Sequence, residues 1–205
     1  MRLFTAVEIG ETMQARAATL LAELRRRAES SAPRAKVTWV AAARIHLTLR
    51  FIGEVDAGTG ERIVHALRDE IPMAPFTVEW GGLGAFPPRG APRVLWVGVA
   101  AGAEALVAAE KHVSDRLAAL GIAREARPYS PHLTLARVRE PAGLKAATLF
   151  ERVDASLGET AVDAITLFQS HLSPKGPTYT ALSKSRLKGQ RQIPTANRQL
   201  PKNSA

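Results

Sequence analysis

The tetrapeptide His-Leu-Thr-Leu occurs twice, as His46-Leu47-Thr48-Leu49 and as His132-Leu133-Thr134-Leu135, at an offset of 86 residues. In an extended strand, residues two apart share a face. His46 and Thr48 therefore point one way while Leu47 and Leu49 enter a core, and His132 and Thr134 stand against Leu133 and Leu135 in the same manner. Each copy offers an imidazole beside a hydroxyl. If the two strands face one another across a cleft, the set suits phosphoryl transfer. A neutral imidazole takes a proton from the attacking group and an imidazolium gives one to the leaving oxygen, both forms being accessible near neutral pH. The threonine hydroxyls can donate to non-bridging phosphoryl oxygens. One His-x-Thr in a strand is usually an ordinary polar pair; two at equivalent positions of a duplicated chain are a site.

The surrounding elements support duplication. Leu3–Ile9 reads as a strand and Glu11–Glu29 as a helix, with Met13, Ala17, Leu20, Leu21 and Leu24 at helical spacing. Val37–Val40 and Ile45–Ile52 read as strands, Ala57–Asp69 as a helix, and Phe76–Trp80 as a strand followed by a Gly- and Pro-rich loop over Gly81–Pro92. The plan then restarts. Leu95-Trp96-Val97-Gly98-Val99 resembles Leu3-Phe4-Thr5-Ala6-Val7 at an offset of 92, and Gly102 falls on Gly10 before a second helix. At the offset of 86, Phe86, Pro88 and Gly90 fall on Leu172, Pro174 and Gly176, before a last strand over Thr178–Leu182. Such self-similarity marks two copies of one supersecondary unit. It predicts an α+β, bilobal, duplicated fold: two antiparallel or mixed sheets covered by helices, with a central active cleft. The domain spans residues 1–187, its pseudo-repeats cover about 2–92 and 93–187, and a basic tail occupies 188–205.

Other chemistries lack their residues. With no cysteine there is no disulfide, thiolate nucleophile or Cys-based zinc site. Two histidines do not make a zinc shell, and no His-Glu-x-x-His completes one, so neither metal nor cofactor is expected. His65 and His112 fall in helical segments, whereas His171 borders the second Pro/Gly loop and could approach the site. Neither a dinucleotide fingerprint, a phosphate-binding loop, a Gly-x-Ser-x-Gly turn nor a repeated carboxylate pair is present. Apolar residues at 46% suffice for a core, and no run approaches the 18 apolar residues of a membrane span. The opening residues lack a signal-peptide pattern, and a cytoplasmic location is expected; a monomer is expected separately. Of the net charge of +9, six basic residues between Lys184 and the C-terminus account for most, leaving +3 elsewhere. Such a tail attracts nucleic acid, or merely solvates the chain end.

Taken together, these residues resemble the 2H phosphoesterases, and within them the bacterial and archaeal RNA 2',3'-cyclic phosphodiesterases, historically called 2'-5' RNA ligases. The resemblance runs through Arg2-Leu3-Phe4-Thr5-Ala6-Val7, the block His46–Val55, Gly84-Ala85-Phe86-Pro87, Pro92-Arg93-Val94-Leu95-Trp96, Pro131–Arg137 and Leu172–Leu182. It implies hydrolysis of 2',3'-cyclic phosphate RNA ends to a 2'-phosphate, and in some members joining of ends through a 2'-5' linkage. It implies His46, Thr48, His132 and Thr134 as catalytic residues and Arg137 as a phosphate contact. Strict alternation, however, places Ala136 on the cleft side and Arg137 behind it; a bulge or the strand's end would reconcile the two. Arg50, on the alternation face of His46 and Thr48, is a further candidate substrate contact.

Two alternatives share these features. The same histidines could serve a small cyclic nucleotide, an ADP-ribose cyclic phosphate or a 2'-5' oligonucleotide, because the motif reads only phosphate chemistry. A non-enzymatic RNA-binding module would use the basic tail, but aromatic residues for base stacking make up only 5% of the chain.

Overall fold

A computed structural model describes residues 1–174 and 176–189. The first unit begins with β1 (Arg2–Glu8), whose consecutive buried residues Leu3–Val7 mark a strand covered on both faces. Helix α1 (Gly10–Ser31) buries Met13, Ala17, Leu20, Leu21, Leu24 and Ala28, one stripe at helical spacing. There follow β2 (Lys36–Trp39), a 3₁₀ turn over Ala42–Arg44, β3 (His46–Glu54), α2 (Ala57–Ala66) and β4 (Phe76–Phe86). Asp56 caps α2 by accepting from the Thr59 amide at 2.9 Å. The second unit has β5 (Val94–Ala101), α3 (Ala103–Ala119), β6 (Leu133–Glu140), a short α4 (Ala146–Phe150), β7 (Gly158–Val162), β8 (Ala164–His171) and β9 (Thr178–Arg186).

Among the described residues the strands form one nine-stranded sheet in the order β7-β4-β5-β6-β3-β1-β8-β9, with β2 added beside β6, and their pairings are antiparallel. The order is close to a palindrome about its centre, since β1 and β5, β3 and β6, and β4 and β8 are the pairs that align at the sequence offsets. The two expected sheets thus meet as halves of a single sheet, joined through one register pair, Leu47 with Leu133. Each half also borrows a strand: β4 from the first unit pairs with β5, and β8 from the second pairs with β1.

The fold is α+β, with the helices packed on a continuous core. Leu20, Leu24, Ile63, Leu106, Val113 and Leu117 from the helices meet Leu47, Leu49, Leu95, Val97, Leu133 and Leu135 from the strands. Trp80 is fully buried, and its Nε1 donates to Thr160 Oγ1 at 2.8 Å. Gly102 enters α3 at φ +88°, where a Cβ would lie 2.5 Å from the Thr77 carbonyl oxygen, so only glycine can make this turn against β4.

Strand β4 differs from the expected strand ending at Trp80. It continues to Phe86, because Gly81 and Gly82 form an irregularity within the ladder rather than a loop: Trp80 pairs with Val99 and the next pair is Leu83 with Val97. The basic tail from residue 190 onward lies outside the described residues. Where the domain meets the tail the chain is tied down: Leu187, the domain's last residue, bridges Ile71, and Lys188 pairs with Glu70 at 3.1 Å.

Candidate active site

Both motifs show the alternation expected of a half-buried strand. Leu47, Leu49, Leu133 and Leu135 are buried, while His46, Thr48, His132 and Thr134 remain partly exposed. The Leu47–Leu133 pair sets the two strands side by side and antiparallel. An antiparallel register carried one residue either way from that pair would set His46 opposite Thr134 and Thr48 opposite His132. The four polar side chains thus converge near the centre of the sheet.

The imidazoles are held alike. His46 Nδ1 lies 2.8 Å from the Arg44 carbonyl oxygen and His132 Nδ1 lies 2.7 Å from the Ser130 carbonyl oxygen. A carbonyl can only accept, so each ring carries its proton on Nδ1 when neutral and presents Nε2 as the free base. Aromatic rings fix each plane. Phe4 stacks on His46 at 4.9 Å and Tyr179 meets it edge-on at 5.2 Å. Phe86 lies edge-on to His132 at 5.1 Å, with Trp96 at 6.1 Å. Phe4 and Trp96 are the residues that coincide at the offset of 92, so the same strand position supports each histidine. Trp96 reaches its place because Gly84 lacks a side chain: a Cβ there would lie 2.1 Å from Trp96 Cζ2.

Burial lowers the pKa of both histidines below the ordinary value of 6.5. The Arg44 and Ser130 carbonyls oppose the shift by favouring the charged rings, and the Arg137 cation lowers His132 further.

Each motif also breaks register directly after its threonine. In β3, Thr48 pairs with Ala6 but Arg50 with Thr5, so Leu49 is the extra residue. In β6, Thr134 pairs with Trp96 but Ala136 with Leu95, so Leu135 is extra. The bulge shifts the alternation by one. It sends Ala136 inward, fully buried, and leaves Arg137 exposed and close enough to lower the pKa of His132. The same device takes Arg50 off the histidine face. Arg50 is 5% exposed, donates from Nη2 to the Ala123 carbonyl and pairs with Glu125 at 3.4 Å. Strict alternation therefore misplaced both arginines, and for one reason.

The chain is similar to known proteins in sequence and in fold. The family described as the 2'-5' RNA ligase superfamily matches residues 13–173. The chain belongs to this superfamily. A relative from Archaeoglobus fulgidus named RNA 2',3'-cyclic phosphodiesterase is 35% identical over 182 residues, 89% of this chain and 98% of that one. A relative of the same name from Aeropyrum pernix is 41% identical over 143 residues, covering 67% and 78%. A crystal structure of a Thermus thermophilus protein superposes with a TM-score of 0.73 at 30% identity, covering 93% of this chain and all of that one.

For this superfamily member, the structure brings His46, Thr48, His132, Thr134 and Arg137 toward one region and holds Arg50 apart from them. His65 and His112 lie on α2 and α3, and His171 is exposed at the end of β8. The orienting carbonyls of Arg44 and Ser130 escaped sequence reasoning, because a backbone acceptor carries no residue signature. The aromatic supports did have a signal, the coincidence of Phe4 with Trp96. Among the described residues no group of three or more His, Cys, Asp or Glu side chains could hold a metal ion. Among the described residues no helix is long and apolar enough to cross a membrane.

Proposed function

We propose that this chain is an RNA 2',3'-cyclic phosphodiesterase that opens the cyclic phosphate to a 2'-phosphate with two histidines and no metal ion. The observation that carries the reading is the matched pair of imidazoles, each locked by a backbone carbonyl so that Nε2 is free. His132 Nε2 takes a proton from water as the water oxygen bonds to phosphorus. The O3'–P bond breaks, and His46 Nε2 returns a proton to O3'. Thr48 and Thr134 donate to the non-bridging oxygens, and Arg137 balances their charge. The polarity is supported by Arg137, whose cation favours the neutral, basic form of His132. Run in the same direction with a ribose 5'-hydroxyl in place of water, the steps make a 2'-5' linkage: the 5'-oxygen bonds to phosphorus as the O3'–P bond breaks and O3' takes the proton from His46. Both motifs lie in one chain, so a monomer suffices, and nothing in the mechanism requires a compartment other than the cytoplasm.

Chelator-dialysed protein incubated with an oligoribonucleotide ending in a 2',3'-cyclic phosphate should yield a 2'-phosphate end. A 3'-phosphate product, or activity that returns only with zinc or manganese, would overturn the assignment. A parallel assay on a cyclic-phosphate mononucleotide separates an RNA substrate from a small one.

A further inference from the structure

The two histidines receive the same carbonyl contact from different supports. The Arg44 carbonyl ends a 3₁₀ turn closed locally, Arg44 N donating to Ala41 O at 2.8 Å and Ile45 N to Ala42 O at 3.1 Å. The Ser130 carbonyl has no such turn. It sits in the thirteen-residue connector Leu120–His132 between α3 and β6, which holds neither helix nor strand. Among the described residues, backbone hydrogen bonds secure that connector only as far as Ile122, whose amide donates to Leu117 O at 3.1 Å.

Side chains hold the remainder: Arg124 pairs with Asp115 of α3 at 2.5 Å, and the other anchors are on strand β3, the strand of the other motif. Tyr129 Oη donates to the Thr48 carbonyl at 3.1 Å, beside the single Leu47–Leu133 register pair. Arg50, turned away from the cleft by the Leu49 bulge, donates to the Ala123 carbonyl and pairs with Glu125 at 3.4 Å. Burial raises the Tyr129 phenol well above its ordinary pKa, so its hydroxyl stays protonated as a donor throughout the working pH range. Tyr129 directly precedes Ser130, so its anchor holds the chain at the residue whose carbonyl faces His132 Nδ1.

We infer that Tyr129 is a positioning residue for His132, pinning the connector to the first motif so that the Ser130 carbonyl holds His132 in its Nδ1–H form. Arg50 supports the same connector from its other end. The first motif thus sets the tautomer of the second motif's histidine, while the carbonyl facing His46 Nδ1 closes a local 3₁₀ turn. The catalytic consequence rests on the proposed phosphodiesterase reading; the tautomer itself does not.

Long-range ¹H–¹⁵N correlation spectra of the full chain, wild type and Tyr129→Phe, distinguish the two cases. In the wild type both His46 and His132 should show the Nδ1–H pattern. In Tyr129→Phe, His132 should shift to mixed tautomers with a lower pKa, since the carbonyl bond that raises it is weakened, while His46 stays unchanged. Arg50→Lys should move His132 in the same direction by less, and serves if Tyr129→Phe does not fold. On a cyclic-phosphate oligonucleotide, kcat should fall roughly 10- to 100-fold, as for other groups that orient a reacting side chain, with KM within about twofold. An unchanged His132 tautomer and pKa in a folded variant, or an equal change at His46, overturns the inference. A shifted tautomer in a protein without phosphodiesterase activity would leave the inference standing and remove the functional reading instead.

Discussion

Leu47 and Leu133 pair Cα to Cα at the one register position where β3 meets β6. The strands are antiparallel there, and the same register carried one residue either way would set each histidine opposite the threonine of the other motif. Thr48→Val and Thr134→Val should each lower kcat by up to about 10²-fold, the scale of losing one transition-state hydrogen-bond donor, with little change in KM. Each hydroxyl would serve the phosphoryl group handled by the opposite histidine, so the double variant should lose less than the product of the two single losses. Steady-state kinetics on the four proteins tests this, and a KM effect with unchanged kcat would place the hydroxyls in ground-state binding instead.

The pH dependence of turnover follows from the lowered histidine pKa values. One imidazole must be neutral and the other protonated, so kcat/KM should be bell-shaped. Burial of both rings moves both limbs down, placing the maximum on the acid side of 6.5, the ordinary histidine value. An anionic phosphate bound beside the rings favours their charged forms, so the kcat profile should lie to the alkaline side of the kcat/KM profile. A kcat/KM maximum near pH 8 would contradict the burial seen for His46 and His132.

Folding stability should carry the same signature. A histidine with a folded-state pKa below its unfolded value binds fewer protons folded than unfolded, so stability rises with pH across the interval between the two. The contribution is fully present above about pH 6.5 and is lost as pH falls toward the lower folded values. Denaturant midpoints measured from pH 7.5 down to 5 should therefore fall for the wild type, and less steeply for His46→Gln and His132→Gln. Equal slopes for all three proteins would show that neither ring loses hydration on folding.

Gly84 is a steric requirement of the second motif. Alanine there places a Cβ 2.1 Å from Trp96 Cζ2, so the indole must leave its position beside His132. Overpacking of this kind costs about 1–3 kcal/mol, and each kcal/mol lowers Tm by roughly 2–4 °C in a chain of this size. Thermal unfolding of Gly84→Ala together with its tryptophan fluorescence measures both effects. An unchanged Tm would mean that β4 can shift to admit the methyl group.

Much of the fold was legible because the duplication repeats both the strands and their punctuation. The Leu3–Val7 and Leu95–Val99 alignment located β1 and β5, and the helical spacing of Met13, Ala17, Leu20 and Leu24 located α1. Three features were not legible. Gly81-Gly82 looks like a strand end but is absorbed within β4, since glycine serves a bulge as readily as a loop. The bulges at Leu49 and Leu135 break the period of two on which face assignment depends. Two consecutive buried positions in each motif, Leu49-Arg50 and Leu135-Ala136, are their trace, and the arginine in the first pair concealed it. The partner of each Nδ1 is a backbone carbonyl, which no side-chain pattern encodes.

The most direct test of the paired mechanism compares His46→Ala and His132→Ala with the wild type on a cyclic-phosphate oligoribonucleotide, after dialysis against chelator. Folding of each variant is checked by circular dichroism, and the product end group is read by ³¹P NMR. Each substitution should cost roughly 10² to 10⁴ in kcat, the usual worth of a positioned acid or base, while the wild type yields only the 2'-phosphate. Near-wild-type turnover by either folded variant would contradict the assignment of acid and base to these two histidines.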